Sequence, residues 1–218
     1  LDPASVFSLA EYVLPKESGP AIPRDYGRET DLTPLEAEVS CEMEVSMPTF
    51  LLGFKCPPMS GGQEQMRRTL IGELACDVLL GDSSPLYARL YSQGLINGTF
   101  GYSFDTLPGV AYAYIGGDSK DPHAVAEEVL REARRLVKDG IDPDYYARIV
   151  RANYGSTLKS LNSFESIAIS LVEGQFDGYD PLLFPEMFDS ITPQDLLAFI
   201  RENLCREHMA LSVVYPKE

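Results

Sequence analysis

Two histidines, His123 and His208, are the only imidazoles in this 218-residue chain, so metal chemistry has few ligands to draw on. A zinc centre needs several convergent side chains. His123 stands in HAVAEE and His208 in REHMAL, so neither H-E-x-x-H nor its inverse H-x-x-E-H occurs. Both read as solvated or structural histidines. The acid pairs Glu127–Glu128 and Glu42/Glu44 could move protons if a fold brought them to a substrate. The first pair falls on the polar face of a predicted helix and the second on the exposed side of an alternating strand, so both read as solvated. No G-x-S-x-G elbow activates a serine. Gly61-Gly62 precedes a helix but lacks the Lys and Ser/Thr spacing of a phosphate loop, and reads as a turn.

The four cysteines, Cys41, Cys56, Cys76 and Cys205, form no C-x-x-C pair and have no histidine at ligand spacing. They are expected to be buried thiols in a reducing, cytoplasmic compartment. A chain reversal at Pro48-Thr49 would set Cys41 opposite Cys56 and would allow a disulfide without requiring one.

With 18 basic and 33 acidic residues the net charge is −15, which argues against nucleic-acid and anionic-membrane partners. If acidic residues line an inner face, basic peptides are expected to bind better than acidic ones, and salt to weaken them. No apolar run is long enough to span a bilayer, and no basic-then-apolar leader opens the chain. The first residue is Leu1, not Met, and a helix begins at once, so the chain is expected to be a fragment or processed piece.

Five dipeptides punctuate the sequence: Asp2-Pro3, Asp121-Pro122, Asp142-Pro143, Asp180-Pro181 and Thr192-Pro193. Asp or Thr caps the free N–H groups of a first turn, and Pro suits the first helical position. Each is read as a helix start. Residues 15–34 read as a linker or arm. Val39–Met47 alternates as a half-exposed strand, and Thr49–Cys56 reads as a buried strand. Helices are predicted over Glu64–Leu80, ended by Gly81 as a left-handed cap, and over Ser84–Gln93. Strands follow at Leu95–Asp105 and Gly109–Asp118. In the second of these, Val110, Tyr112, Tyr114 and Gly116 share one face and Ala111, Ala113 and Ile115 the other, so it is expected to lie between layers. Helices are predicted over Asp121–Asp139, closed by Gly140, from Asp142 to about Glu173 with a break near Asn162, and over Asp180–Asp189 and Thr192–Asn203. Met209–Tyr215 closes the chain as a strand.

The order β-β-α-α-β-β-α-α-α-α-β groups strands and helices, which predicts an α+β fold with a mainly antiparallel sheet and helical hairpins on one face. The expected division is an N-terminal helix and arm over 1–38 and a domain over 39–218.

The stretch GDSSPLYARLYSQGLINGTFGYSF, with LLGFK before it and IGGDSKDP, TPQDL and VVYPKE after it, resembles the non-catalytic half of insulinase/pitrilysin-type zinc peptidases, an inverzincin family. The likeness covers roughly residues 39–218 and is greatest to a bacterial branch. It implies a protein of two similar halves. An N-terminal half would carry H-x-x-E-H and hold zinc, and this C-terminal half would close a chamber over the peptide. The chain itself would then need no cofactor and would be inactive alone. Its partner would be the catalytic half or a homologous subunit. In several members this half offers an Arg and a Tyr to substrate near the second central strand. That strand contains no Arg here, and Tyr112 and Tyr114 do not match the spacing, so the pair is not carried over. Tyr102, Phe104, Tyr112 and Tyr114 stand as substrate-facing candidates, with ordinary sheet packing as the alternative for each. A catalytically dead family member serving as a binding or assembly scaffold fits the same residues.

Overall fold

The computed structural model describes residues 2–14, 19, 22, 25, 27, 30–59 and 61–217. Most of the predicted 15–34 arm lies outside them. Among the described residues the elements run α1 (Pro3–Val13), β1 (Glu38–Met43), β2 (Thr49–Cys56), α2 (Gly62–Leu80), α3 (Pro85–Ser92), β3 (Gly101–Leu107), β4 (Val110–Asp118), α4 (Pro122–Asp139), α5 (Pro143–Ser160), α6 (Phe164–Asp177), α7 (Phe184–Ser190), α8 (Pro193–Asn203) and β5 (Met209–Pro216). The α+β class and the grouped order are as the sequence predicts.

The helix starts form by the local chemistry expected of them. Asp2, Asp121 and Asp142 each accept a hydrogen bond from a backbone N–H in the first turn, at Ala4, Ala124 and Tyr145. Thr192 and Asp195 form a reciprocal capping box. Asp180 instead opens a single 3-10 turn, Pro181–Leu183, and α7 begins directly after it. The long predicted helix breaks at residues 161–163, where Ser163 caps α6. Gly140 closes α4 with a positive φ of 86°. Gly81 does not take the left-handed conformation expected of it: its φ is −58° and its ψ 155°. Glycine is required there by space, since a Cβ would lie 2.6 Å from the Asp77 carbonyl oxygen.

The five strands lie in the order β1-β5-β2-β4-β3. β2 pairs antiparallel with both β4 and β5, and β3 with β4. β1 pairs parallel with β5. β5 therefore lies between β1 and β2, and Cys41 faces Val214 rather than Cys56. The Cys41–Cys56 disulfide does not form: Cys41 is an exposed free thiol and Cys56 a buried one. Burial pushes the Cys56 thiol up to about 12, so it is inert at neutral pH. β1 is exposed along its whole length, not half-exposed, because it is an edge strand that no helix covers closely. β3 starts at Gly101 rather than Leu95, because the Asn97 side chain accepts from the Thr99 N–H at 2.8 Å and closes a turn.

The core lies between one sheet face and the helices. Phe50, Leu52, Phe54 and Cys56 of β2, Ala111, Ala113 and Ile115 of β4, and Met209, Leu211 and Val213 of β5 all point into it. Leu74, Val78, Leu86, Val125, Val129, Leu196 and Ile200 meet them from the helices. Among the described residues the helices that pack on the sheet do so on this face, and the other face is left largely open. Glu128, which reads from sequence as solvated, is drawn into a part-buried ion pair with Arg89 of α3 at 3.3 Å. Glu127 pairs with Arg206.

Candidate functional site

The period of two that buries one set of strand residues delivers the other set to the open face. Thr49, Leu51, Gly53 and Lys55 of β2 alternate with the buried set. Tyr112, Tyr114 and Gly116 of β4 do the same, as do Ala210 and Ser212 of β5 and Ser103 and Asp105 of β3. Register places Tyr114 beside Gly53 and Tyr112 beside Lys55 on one side, and Ser103 and Asp105 beside them on the other. The two tyrosine rings stand 6.2 Å apart between centroids, tilted by 37°.

Gly53 and Ala210 are paired neighbours on this face, and their small size leaves a groove of ≈ 430 Å³ against the tyrosines and Leu51. A Cβ built at Gly53 meets nothing within 4 Å, so the floor of the groove is open above that residue. Lys55 closes one end. Its Nζ donates to the carbonyl oxygens of Asp31 at 2.8 Å and Thr33 at 3.3 Å, and Pro34 lines the groove beside it. The segment before β1 is thus fastened across part of the open face. Removing that ammonium, as in Lys55→Met, is expected to lower the cost of opening residues 31–36 by about 1 kcal/mol. Limited proteolysis within 31–36 is then expected to speed up roughly fivefold.

The four sequence candidates divide between the two faces. Tyr112 and Tyr114 are half-buried on the open face, so among the described residues the strand that carries them is packed by helices on one side only and does not lie between two layers as expected. Tyr102 and Phe104 point the other way. The Tyr102 hydroxyl donates to Asp77 Oδ1 of α2 at 2.8 Å, while Asn153 Nδ2 donates to the second Asp77 oxygen at 2.6 Å. Burial first, then the Asp77 carboxylate, pushes the Tyr102 hydroxyl well above the usual phenol range and keeps it a neutral donor. Phe104 packs edge-on to Phe199 of α8 at 5.2 Å, inside the core.

Gly53 and Lys55 escape the sequence reading because TFLLGFKC reads as one short apolar run rather than as an alternating strand. The signal is present in the size of alternate residues, with Phe, Leu, Phe and Cys at even positions against Thr, Leu, Gly and Lys at odd ones. Among the described residues no group of three or more His, Cys, Asp or Glu comes together where a metal could be held, so the donor set does not fit zinc. His123 spends its Nε2 on Glu38 at 2.9 Å near the sheet edge. No helix among the described residues is long and apolar enough to cross a membrane.

Residues 1–153 match the family model described as the peptidase M16 inactive domain. The chain belongs to this family. An M16 inactive domain is what the grouped strands and the missing zinc ligands resemble, and the matched region also takes in α1 and the segment before β1. The uncharacterized zinc protease YmfH of Bacillus subtilis (strain 168) is 31% identical over 213 residues, which are 93% of this chain and 47% of that protein. The M16 domain thus spans about half the length of this curated relative. Among solved structures, an M16-like peptidase from Alicyclobacillus acidocaldarius superposes with a TM-score of 0.88 at 22% identity, over 98% of this chain and 51% of that one. The inactive peptidase domain of a zinc protease from Bordetella parapertussis gives 0.67 at 15% identity, over 82% of this chain and 95% of that one. At these identities the structures establish a shared fold.

Proposed function

We propose that this M16 domain is the substrate-binding, chamber-forming C-terminal half of a zinc-dependent peptidase, without catalytic activity of its own. The zinc and its ligands belong to an N-terminal catalytic half or a homologous subunit, and the open sheet face turns toward that partner. The observation that carries this reading is the groove over Gly53, walled by Tyr112 and Tyr114 on the sheet face away from the packed helices. Aromatic walls and a glycine floor suit an extended peptide lying against the sheet. Tyr112 and Tyr114 are the substrate contacts in this reading. Tyr102 and Phe104 act from behind the sheet, as its support. We place the protein in the cytoplasm, which suits its free thiols. The helix and arm of 1–38 precede the domain proper, consistent with an α1 that buries none of its residues.

A preference for basic peptides would need an acidic inner face. The charged side chains that register assigns to the open side of β2–β5 are Lys55, Asp105 and Asp118, a near-neutral set. Selection therefore follows apolar and aromatic contacts more than charge, and cleavage of basic and acidic peptides should respond alike to salt.

Gly53→Leu fills the groove from its floor without a clash at Cβ. In a protein carrying both halves, kcat/KM for peptide cleavage is expected to fall roughly tenfold, which is about 1.4 kcal/mol of lost transition-state binding. The thermal midpoint should hold. Unchanged cleavage would remove the groove from the substrate path. A full-length protein that binds zinc and cleaves nothing would favour the assembly scaffold instead.

A further inference from the structure

α1 has the pattern of a core helix and buries none of its residues. It starts at a cap, Asp2, and a first-turn proline, Pro3, as α4 does at Asp121-Pro122 and α8 at Thr192-Pro193. In α8 the residues four, eight, eleven and twelve places after the cap are buried: Leu196, Ile200, Asn203 and Leu204. The same places in α4, held by Val125, Val129, Glu132 and Ala133, are buried too. In α1 they hold Val6, Ala10, Val13 and Leu14, with Phe7 beside them on the stripe. Phe7 is 70% exposed and Val13 68%. Ser5, Ser8 and Tyr12 fall on the opposite side of the helix. An isolated helix of 11 residues is marginal in water, so packing against another surface must hold α1.

Within this domain the places for two such helices are taken, because α4 and α8 pack on each other and on β2. α6 leaves Phe164, Val172 and Phe176 exposed, but α1 and α6 both carry acidic and no basic side chains. Pairing them would set like charge against like. A second copy would bring another net charge of −15 to the contact. The family model matches residues 1–153, so α1 is part of what the family shares. The chain accounts for 47% of YmfH and 51% of the Alicyclobacillus peptidase, which leaves a comparable length of each to form a second body. We infer that α1 is a docking helix for the other half of the longer protein, the catalytic half of the reading above, on which this inference rests. It lays Val6, Phe7, Ala10, Val13 and Leu14 into an apolar slot there, as α8 lies against β2 here. Residues 3–14 then complete the core of the catalytic half and contribute to its stability rather than to that of this domain.

Hydrogen exchange tests this in two wild-type proteins, the present chain and a longer protein carrying both halves. Amides of residues 6–14 are expected to exchange roughly a hundredfold more slowly in the longer protein. In the present chain they should exchange at nearly the rate of unstructured peptide. Phe7→Ser combined with Val13→Ser should leave the thermal midpoint of the present chain in place and lower that of the longer protein by roughly 10 °C. Tyr12→Ser, on the opposite side of α1, should move neither midpoint. Fast exchange of α1 in the longer protein overturns the inference. So does slow exchange already present in the shorter chain, which would set α1 on its own domain, or protection that rises with protein concentration, which would set it on a second copy. Peptide cleavage by the wild-type longer protein reports on the proposed function separately. Cleavage with an unprotected α1 removes the docking alone, and a protected α1 without cleavage keeps the docking and removes the catalytic reading.

Discussion

Phe104→Ala is expected to destabilise the domain by about 3 to 5 kcal/mol, a large part of the roughly 5 to 15 kcal/mol that holds a typical domain together. The ring is 5% exposed and meets Phe199 edge-on at 5.2 Å. It also fixes the identity of Gly72 on α2, because a Cβ there would come within 2.4 Å of Phe104 Cδ1. One side chain thus joins β3, α2 and α8, and its loss leaves a void among three elements that cannot all move inward. Denaturant melts should show the midpoint falling with the slope unchanged. Tyr114→Ala, on the open face and half-buried, should cost about 1 kcal/mol or less. If Phe104→Ala kept its stability and lost peptide affinity instead, the ring would be a substrate contact and the core account would be wrong.

Glu132→Ala is expected to cost about 2 to 3 kcal/mol at neutral pH. Glu132 lies in α4 with only 3% of its surface exposed. Arg89 of α3 donates to it at 3.0 Å, and Arg135 donates through Nε at 3.0 Å and Nη2 at 2.8 Å. The carboxylate is the shared centre of a network that fastens α3 to α4. Both guanidinium groups reach solvent, which keeps the cost below that of stranding a fully buried charge. Burial alone would raise the Glu132 pKa, but the hydrogen bonds from Arg135 and Arg89 outweigh it and hold the group below its ordinary value of 4.5. The folded state therefore binds this proton more weakly than the unfolded chain does. The stabilisation is fully present above about pH 4.5 and is lost as pH falls through the depressed folded value. Comparison with Glu132→Gln by thermal melts should show the largest gap at pH 7 and a shrinking gap below pH 4.5. A gap that did not narrow in acid would mean that shape, not charge, makes Glu132 necessary.

Much of the secondary structure is legible in the sequence because it is set within a few residues. Asp121 needs only its own carboxylate and the Ala124 N–H to start α4, and Ser163 needs only the Ser166 N–H to start α6. The candidate site is half legible. Tyr112 and Tyr114 can be placed on one face by counting in twos, yet the face opposite theirs is just as apolar, so alternation alone suggests burial on both sides. Tyr102 and Phe104 look equivalent to the β4 tyrosines in sequence and are not. Register sets Tyr102 opposite Ile115 and Phe104 opposite Ala113, on the helix side.

The sequence by itself determined where helices begin, which strand residues share a face, and that the chain lacks the ligands for a zinc centre of the H-x-x-E-H kind. Tertiary structure decided which face the helices cover and which strands are neighbours. β5, the last strand in the chain, inserts between β1 and β2 and so separates Cys41 from Cys56. Local rules act through hydrogen bonds between residues close in the chain. Strand order and face selection depend on burying one continuous core, and only the assembled chain settles which of two similar faces is covered.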